Sequence, residues 1–363
     1  MKIQLYSYRY LIVLLAFISC LPDVINITVS PDDPWIRYTG RINFEVTKIP
    51  EIYWPGTQIE IRFEGEELKA KLKDENGENY FNIVIDDDSL RYIRLDSIER
   101  MYTLAKGLPS GPHSVKLIKR TEWDLGKTWF SGFEITNGEL LELPKRDKKT
   151  IEFFGNSITA GYAIEDMTGG DSPDSIYTNN YNTYGAITAR YFDADYYGTL
   201  KSGIGIMISW FPLIMPELYD RLDPSDPESK WDFSRVQPDL VVVNLFQNDS
   251  WLVNMPEEPT FSQRFGENPP DKEFIISSYS SFITSLREVY PNTPIICALG
   301  SMDATREGSP WPGYVQNAVE GLNDDNIYII LFPFIDKPGH PRVEDNKKMA
   351  EQLIRFIEDT LGW

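Results

Sequence analysis

A serine at a predicted turn is the first residue of this sequence that is able to act as a nucleophile. Residues 150–154 form a strand-like run, and Ser157 follows it in Gly155-Asn156-Ser157. A serine where a strand turns into a helix is exposed at the carboxyl edge of a sheet, and its N–H lies near a helix start that favours an anion. Serine is also a common helix N-cap, so this turn alone leaves a catalytic and a structural role open.

A histidine beyond a later predicted strand is the candidate base. The chain has two histidines in all. His340 lies in residues 336–341, Asp-Lys-Pro-Gly-His-Pro, where proline and glycine fix an irregular loop before the last predicted helix. His113 falls within a predicted strand and is expected to be structural. Since an imidazole accepts the proton of an attacking serine hydroxyl, His340 is the candidate partner of Ser157.

Two more segments contain groups that are able to donate hydrogen bonds to a developing oxyanion. Gly203 lies in Ser-Gly-Ile-Gly at residues 202–205, where the absence of a side chain lets a backbone N–H approach a substrate. Asn248 lies in Asn-Leu-Phe-Gln-Asn-Asp at residues 244–249, after the most apolar predicted strand, and its amide is a suitable donor. The structural alternatives are a tight turn for Gly203 and a loop-capping side chain for Asn248.

The elements that would position these residues fall into two halves, of which the first is all β. Residues 34–145 contain segments of strand length at residues 58–63, 80–85 and 113–118, separated by glycine-, proline- and aspartate-rich turns. This spacing predicts a β-sandwich or jelly-roll domain.

The second half, residues 148–363, alternates apolar runs with helical patterns. The apolar runs lie at residues 240–245, 294–299 and 327–331, and the helical patterns at 184–191, 274–290 and 346–361. Such alternation predicts a doubly wound α/β fold with a parallel sheet. Reactive groups in these folds collect beyond the carboxyl ends of the strands, so the four segments above are expected to meet there.

The composition argues against several classes of protein. The 363 residues include 35 Lys+Arg and 55 Asp+Glu, which gives a formal net charge of −20 and argues against nucleic acid as a partner. Two cysteines and two histidines almost exclude a disulfide framework or a zinc site built from these residues. Dinucleotide and phosphate-binding fingerprints are absent from the sequence, and the serine and histidine chemistry described above requires neither a metal nor an organic cofactor, so none is expected.

The first 20 residues are predicted to be a signal peptide. Lys2 and Arg9 precede the apolar run 11–19, which is short for a membrane span, and Cys20 follows it directly. Cys20 resembles the lipidated cysteine of a bacterial lipoprotein, which would place the chain in the periplasm or on the cell surface. The alternative is an ordinary cleaved signal and secretion. Membrane contact is expected only through this N-terminal lipid.

In their order along the chain, the four catalytic segments resemble the blocks of the SGNH hydrolases, also called GDSL-type esterases. The resemblance covers residues 150–363 and implies a flavodoxin-like domain with Ser157 as nucleophile and His340 as base. It also implies an oxyanion hole formed by the N–H groups of Ser157 and Gly203 and by the Asn248 side chain.

The β half adds to this resemblance. Residues 38–41, Tyr-Thr-Gly-Arg, and residues 107–122 look like the jelly-roll domain of carbohydrate esterase family 2. Members of that family remove acetyl groups from saccharides. The resemblance therefore implies an exported acetyl esterase that acts on acetylated plant-type polysaccharides or oligosaccharides without a cofactor.

Three positions depart from the family pattern. Asn156 stands where the first block has Asp, and Phe246 stands where the third block has Gly. Asp336 lies four residues before His340, whereas the family spacing is three. The resemblance therefore implies either a triad with Asp336 or a Ser–His dyad in which a backbone carbonyl orients the imidazole.

Substrate-binding residues are predicted from their position beside the strand ends. Trp251, Trp210 and Trp311 are candidates for stacking on a sugar ring, and each is equally suited to a core or lid position. The polar residues 165–182 are predicted to form an active-site loop. Two other functions use the same pattern: a lipase or thioesterase, and a non-catalytic glycan-binding surface lipoprotein.

Overall fold

The computed structural model of the chain describes residues 24–45 and 49–363. The predicted signal peptide and Cys20 lie outside these residues. A β-sandwich is followed by an α/β domain. Across the described ranges, every helix is too short or too polar to be a transmembrane span.

The described part of the sandwich consists of two antiparallel sheets. The first contains β1 (Asn26–Val29), β3 (Ile42–Asn43), β4 (Glu51–Ile52), β6 (Glu67–Asp74), β9 (Arg100–Lys106) and β11 (Thr128–Thr136). The second contains β2 (Arg37–Thr39), β5 (Gln58–Glu64), β7 (Tyr80–Ile85), β8 (Ser89–Arg94), β10 (His113–Lys119) and β12 (Glu139–Leu141). Their strand orders are β3-β4-β11-β6-β9, with β1 on β11, and β12-β5-β10-β7-β8, with β2 on β5. Strand β1 begins at Asn26, which lies before residue 34, the predicted start of this domain.

Alternation of apolar and polar residues explains why these segments form sheets. In β6, Leu68, Ala70 and Leu72 are buried, while Lys71 and Lys73 face solvent. Successive side chains of a strand point to opposite faces, so each sheet has one apolar face. The apolar faces of the two sheets form one core, which confirms the predicted β-sandwich.

The α/β domain is built on a five-stranded parallel sheet. Its strands are β13 (Thr150–Gly155), β14 (Asp195–Leu200), β15 (Leu240–Asn244), β16 (Ile295–Leu299) and β17 (Ile327–Leu331). Its helices are α1 (Ser157–Ala160), α2 (Tyr184–Tyr191), α3 (Met215–Leu218), α4 (Gln247–Leu252), α5 (Pro259–Phe265), α6 (Lys272–Val289), α7 (Trp311–Leu322) and α8 (Val343–Leu361). The strand order β14-β13-β15-β16-β17 is the flavodoxin-like order, so the predicted doubly wound class is confirmed.

Each face of the parallel sheet has its own apolar core. Strand β15 is buried along its whole length, as expected of a parallel strand covered on both sides. Val241 and Val243 pack in a cluster with α6 and α7, whereas Leu240 and Val242 pack with α2 and α8. This packing fixes the strands and therefore the points from which the catalytic loops leave the sheet.

The sandwich contacts the α/β domain through buried side chains. Trp54 is 1% exposed, and its Nε1 donates to the carbonyl of Leu222 over 2.9 Å. Arg41 is also 1% exposed, and its Nη2 lies 2.8 Å from Oε1 of Glu152. Because charged groups are costly to bury without a partner, these contacts fix how the two domains pack.

Candidate active site

Three of the predicted segments meet at the carboxyl edge of the parallel sheet. Strand β13 lies between β14 and β15, and Gly155 at its end is in register with the last residue of each neighbour. The N–H of Lys201 donates to the carbonyl of Gly155 over 3.2 Å. The loops that leave this edge carry Ser157, Gly203 and Asn248, so the topology brings the predicted nucleophile and oxyanion donors to one place.

Ser157 begins helix α1, but its side chain is not the cap of that helix. The N-cap is Asn156, whose Oδ1 accepts a hydrogen bond from the N–H of Ile158 over 3.1 Å. An amide oxygen caps a helix as well as a carboxylate does, which accounts for Asn156 at a position where the family has Asp. The capping alternative for Ser157 is therefore wrong, and its hydroxyl is available to another partner.

Ser157 and His340 form a hydrogen-bonded chain with a third residue. The Oγ of Ser157 lies 2.8 Å from Nε2 of His340, and Nδ1 of His340 lies 2.7 Å from Oδ2 of Asp171. An ionised carboxylate only accepts hydrogen bonds, so Nδ1 carries the proton and Nε2 accepts from the serine hydroxyl. This tautomer is the one that lets an imidazole act as a general base.

Asp171 is held in this position by further contacts. Its carboxylate accepts the backbone N–H of His340 over 3.0 and 3.1 Å, and its Oδ1 lies 2.8 Å from Nη2 of Arg342. Partial burial acts to raise the pKa of Asp171, but the hydrogen bonds from His340 and the contact with Arg342 outweigh it and hold that pKa well below its ordinary value. Asp171 is therefore ionised at neutral pH.

Another aspartate, Asp166, stabilises the loop that carries Asp171 by accepting backbone hydrogen bonds. Oδ1 of Asp166 accepts the N–H of Thr168 over 2.9 Å, and its Oδ2 accepts the N–H of Ser172 over 2.8 Å. These bonds fix the turn on both sides of Asp171. The loop falls within residues 165–182, whose polar sequence predicts an active-site loop.

Asp171, and not Asp336, orients the imidazole, so the sequence expectation for Asp336 is wrong. Asp336 is exposed, and its carboxylate has no hydrogen-bond or ion-pair partner in the described part of the chain. The left-handed backbone of Gly339, with a φ of 79°, turns the chain between Asp336 and His340. The alternative of a backbone carbonyl is wrong as well, because Nδ1 of His340 already donates to Asp171.

Acid is expected to remove the contribution of Asp171 to stability. Because its pKa is depressed in the folded state, the contribution is complete above the ordinary carboxyl pKa of about 4 and is lost as the pH falls towards the folded value. The difference in unfolding free energy between the wild type and Asp171→Asn should therefore shrink below about pH 4. Urea unfolding at several pH values measures it, and a difference independent of pH would contradict the depressed pKa.

Gly339 is predicted to be required because Asp171 approaches its backbone closely. A Cβ at this position would lie 2.7 Å from Oδ1 of Asp171. Gly339→Ala is expected to displace the carboxylate and lower kcat by about 10²-fold, the typical cost of a shift near 1 Å. Gly308→Ala is the matched control, since Gly308 has a φ of 83° and no atom within 4 Å of an added Cβ. Steady-state kinetics that showed equal losses in both variants would contradict this role.

The other two predicted oxyanion donors, Asn248 and Gly203, are linked through hydrogen bonds to Trp210. Nδ2 of Asn248 donates to the carbonyl of Ile204 over 2.8 Å, and its Oδ1 accepts from Nε1 of Trp210 over 3.1 Å. These bonds fix the amide orientation and leave the second Nδ2 hydrogen for an oxyanion. Gly203 has a left-handed φ of 81°, and its carbonyl accepts from the N–H of Trp210 over 3.1 Å. Asn248 and Gly203 are thus joined in one hydrogen-bonded unit.

Asp249 holds the loop behind these donors. Its buried carboxylate accepts the N–H groups of Ile206, Met207 and Ile208 over 3.1, 2.7 and 3.2 Å. Burial raises the pKa of Asp249 to about 6, although these N–H groups act to lower it. Asp249 directly follows Asn248 in the chain, but its role in holding this loop is not predicted from the sequence.

Removal of the Asn248 amide should slow the predicted ester hydrolysis without abolishing it. Asn248→Ala takes away one of three donors and is expected to lower kcat by about 10²–10³-fold. KM should change much less, because the oxyanion develops only in the transition state. Asn254→Ala, which removes an exposed amide just beyond the same helix, is the control in steady-state assays. A wild-type kcat in Asn248→Ala would contradict its role.

The three tryptophans predicted to stack on sugar lie in different surroundings. Trp210 is 43% exposed on the oxyanion loop, so its ring is open to a ligand. Trp251 is half-buried, and its Nε1 donates to Oδ2 of Asp303 over 3.1 Å. Trp311 is 6% exposed, and its ring centroid lies 5.0 Å from that of Phe246. Trp311 belongs to the core, so its prediction as a stacking residue is wrong.

Phe246 has a strained backbone at the position where the family has glycine. Its φ is 77°, in the left-handed region that a bulky residue rarely adopts. Its buried ring lies 4.7 Å from that of Tyr279 and 5.0 Å from that of Trp311, between centroids. This aromatic packing stabilises the same turn that glycine would form, and Asn248 keeps its place in the site.

These observations define a class of protein: a two-domain hydrolase of the SGNH type. Its serine, histidine and aspartate form a catalytic chain of hydrogen bonds. Residues 38–144 match the family model described as carbohydrate esterase 2 N-terminal. The fold is similar to that of a family two carbohydrate esterase from Clostridium thermocellum in complex with cellohexaose, with a TM-score of 0.81 and 32% identity over 90% of this chain and 99% of that one. The chain belongs to carbohydrate esterase family 2, a family of carboxylic ester hydrolases.

Two curated relatives are similar over most of this chain. The cellulase/esterase CelE of Acetivibrio thermocellus is 33% identical over 351 residues, which cover 93% of this chain and 41% of CelE. An acetylxylan esterase/glucomannan deacetylase of Cellvibrio japonicus is 24% identical over 344 residues, which cover 93% of this chain and 92% of that protein. The chain thus spans about two fifths of the length of CelE and nearly all of the second relative.

Proposed function

We propose that this chain is a serine esterase that removes acetyl groups from acetylated saccharides. The observation that carries the proposal is the 2.8 Å contact between Oγ of Ser157 and Nε2 of His340, with Asp171 on the opposite nitrogen. A nucleophile, a base in the correct tautomer and an orienting carboxylate are the groups that acyl transfer requires.

The reaction proceeds through an acyl-enzyme. Oγ of Ser157 attacks the ester carbonyl while Nε2 of His340 accepts its proton, and the N–H groups of Ser157 and Gly203 with Nδ2 of Asn248 stabilise the oxyanion. His340 then donates the proton to the departing sugar hydroxyl. Water, deprotonated by His340, releases acetate and restores Ser157. Asp171 stabilises the imidazolium throughout and stays ionised.

A polar cavity beside His340 supports a saccharide as the substrate. It has a volume of about 330 Å³ and is lined by Asp303, Arg306 and Phe334 among others. Arg306 pairs with Asp303 over 2.7 Å and lies 4.7 Å from the ring centroid of Phe334. Charged groups next to an aromatic ring suit a hydroxyl-rich sugar better than a long acyl chain. The acetylated glycans that name the Cellvibrio japonicus relative are the substrates proposed for this chain.

Acyl-chain preference tests this proposal against a lipase or thioesterase. Purified protein should hydrolyse an acetyl ester with a higher kcat/KM than the matched octanoyl ester, because the proposed substrates carry acetyl groups. A preference for the octanoyl ester would instead indicate a lipase. A serine-reactive phosphonate should label Ser157 in the wild type but not in Ser157→Ala. Glycan binding without turnover or labelling would indicate a non-catalytic binding protein.

The proposal extends to the location of the protein. The basic and apolar residues before Cys20 support export and lipidation at that cysteine, which would hold the esterase at a cell envelope. A radiolabelled fatty acid should be incorporated by the wild type in a bacterial host and not by Cys20→Ala. Release of unlabelled wild-type protein into the medium would favour an ordinary cleaved signal.

A further inference from the structure

We propose that two residues of the sandwich, Arg120 and Glu122, are positioning residues for the two catalytic loops of the α/β domain. Arg120 acts on the loop that carries Asp171, and Glu122 acts on the loop that carries Gly203. The sandwich is then part of the catalytic machinery. This inference rests on the proposed function, since it concerns the rate of the same reaction.

Arg120 joins the two ends of the Asp171 loop. Its side chain is buried, with its guanidinium 2.6 Å from Oε2 of Glu165, 2.8 Å from the carbonyl of Ile176 and 3.4 Å from the carbonyl of Thr178. Glu165 precedes Asp171 in the chain, and the two carbonyls follow it. A single guanidinium therefore holds both ends of the loop at a fixed separation.

Glu165 extends this contact into the α/β domain. Its Oε1 accepts from the side-chain amides of Asn179 and Asn182 over 2.6 and 2.8 Å. The backbone of Arg120 also takes part, because its carbonyl accepts the N–H of Asn180 over 3.0 Å. The segment that follows Asp171 is thus bonded to the sandwich at several points.

Glu122 holds the start of the oxyanion loop. Its Oε2 accepts the N–H of Ser202 over 2.5 Å, and its Oε1 accepts from the Ser202 hydroxyl. Ser202 directly precedes Gly203, so the carboxylate fixes the peptide that leads into the oxyanion donor. Glu122 is buried, where hydrogen bonds to a charged group are strong.

A buried lysine fixes the backbone on which both residues stand. Nζ of Lys119 donates to the carbonyls of Thr121 and Glu122 over 2.8 and 3.0 Å, and to Oδ1 of Asn79 over 2.5 Å. Lys119 is fully buried in the sandwich. Residues 120–122 are therefore rigidly anchored, as a segment must be if it is to position catalytic groups of another domain.

Kinetics of matched variants distinguish positioning from simple adhesion between the domains. Arg120→Gln and Glu122→Ala should each lower kcat by about 10²-fold with little change in KM, the cost of displacing catalytic groups by about 1 Å. Arg41→Gln is the control, because Arg41 is an equally buried interdomain arginine that contacts Glu152 and the carbonyls of Tyr219 and Arg221. It should lower Tm and leave kcat near the wild-type value.

Double variants test which loop each residue acts on. If Arg120 acts through Asp171, adding Arg120→Gln to Asp171→Asn should change kcat by less than about twofold, whereas Glu122→Ala should retain its full effect in that background. Glu122→Gln keeps an acceptor for the Ser202 N–H and should recover part of the lost kcat. Arg120→Lys keeps the charge and should have a kcat between those of Arg120→Gln and the wild type. It also provides a second test if Arg120→Gln does not fold.

Two results have different meanings. An active wild type with the same kcat losses in the Arg41, Arg120 and Glu122 variants would overturn the positioning role and leave the proposed function intact. A folded wild type that hydrolyses no ester would overturn the proposed function, and the inference that rests on it would fall with it.

Discussion

Ser157→Ala and His340→Ala are each expected to lower kcat for ester hydrolysis by about 10⁶-fold, and the double variant should be no slower than either single one. The reason is that the two side chains act as a unit across the 2.8 Å contact between Oγ and Nε2. Without the hydroxyl there is no nucleophile, and without the imidazole nothing accepts its proton. Activity that remains comes from the oxyanion donors and substrate binding alone.

The second histidine is the natural control for this prediction. His113 lies in the sandwich, where Nδ1 is 2.7 Å from Oδ2 of Asp86 and Nε2 is 2.8 Å from the carbonyl of Pro109. His113→Ala should lower stability but leave kcat near the wild-type value. Steady-state assays with an acetyl ester measure the wild type and all four variants, and near-normal turnover by Ser157→Ala or His340→Ala would contradict the assignment.

Asp171→Asn is expected to lower kcat by about 10⁴-fold, although it changes few atoms. An asparagine can turn its NH₂ towards Nδ1 of His340, which then becomes an acceptor, and the proton moves to Nε2. In that tautomer the imidazole no longer accepts the proton of Ser157. The variant also loses the negative charge that stabilises the imidazolium.

Asp336→Asn is the matched control, because Asp336 is the aspartate that local sequence places near His340. It is exposed and lines the cavity beside His340 without a hydrogen bond or ion pair to the catalytic residues, so the substitution should leave kcat unchanged. Steady-state kinetics of the two variants decide between the aspartates. A large loss in Asp336→Asn together with wild-type activity in Asp171→Asn would contradict the structure of the triad described above.

The fold and the residues at the strand ends could be predicted from local sequence. Apolar strands that alternate with helices predict a doubly wound sheet, and the chain order of such a fold places Ser157, Gly203 and Asn248 at neighbouring strand ends. These residues leave a local signal because each lies within four residues of the end of a strand. His340 could be found because the chain has so few histidines.

Asp171 could not be predicted, because its position depends on contacts distant in sequence. The polar segment 165–182 indicates a loop, but it contains several acidic residues, and only the contacts with His340 and Arg342 distinguish Asp171 from the others. The core position of Trp311 could not be predicted for a related reason. Its helix begins at the strand ends, and only the packing on Phe246 shows that its ring belongs to the core.

We expect Ser157 to release acetate from acetylated saccharides. The most direct test is to incubate acetylated xylan and acetylated glucomannan with equal amounts of the wild type and Ser157→Ala and to measure free acetate over time. The wild type should release acetate steadily from at least one of the two polymers, and the variant should release none above background. Equal release by both proteins, or no release by a folded wild type, would contradict this expectation.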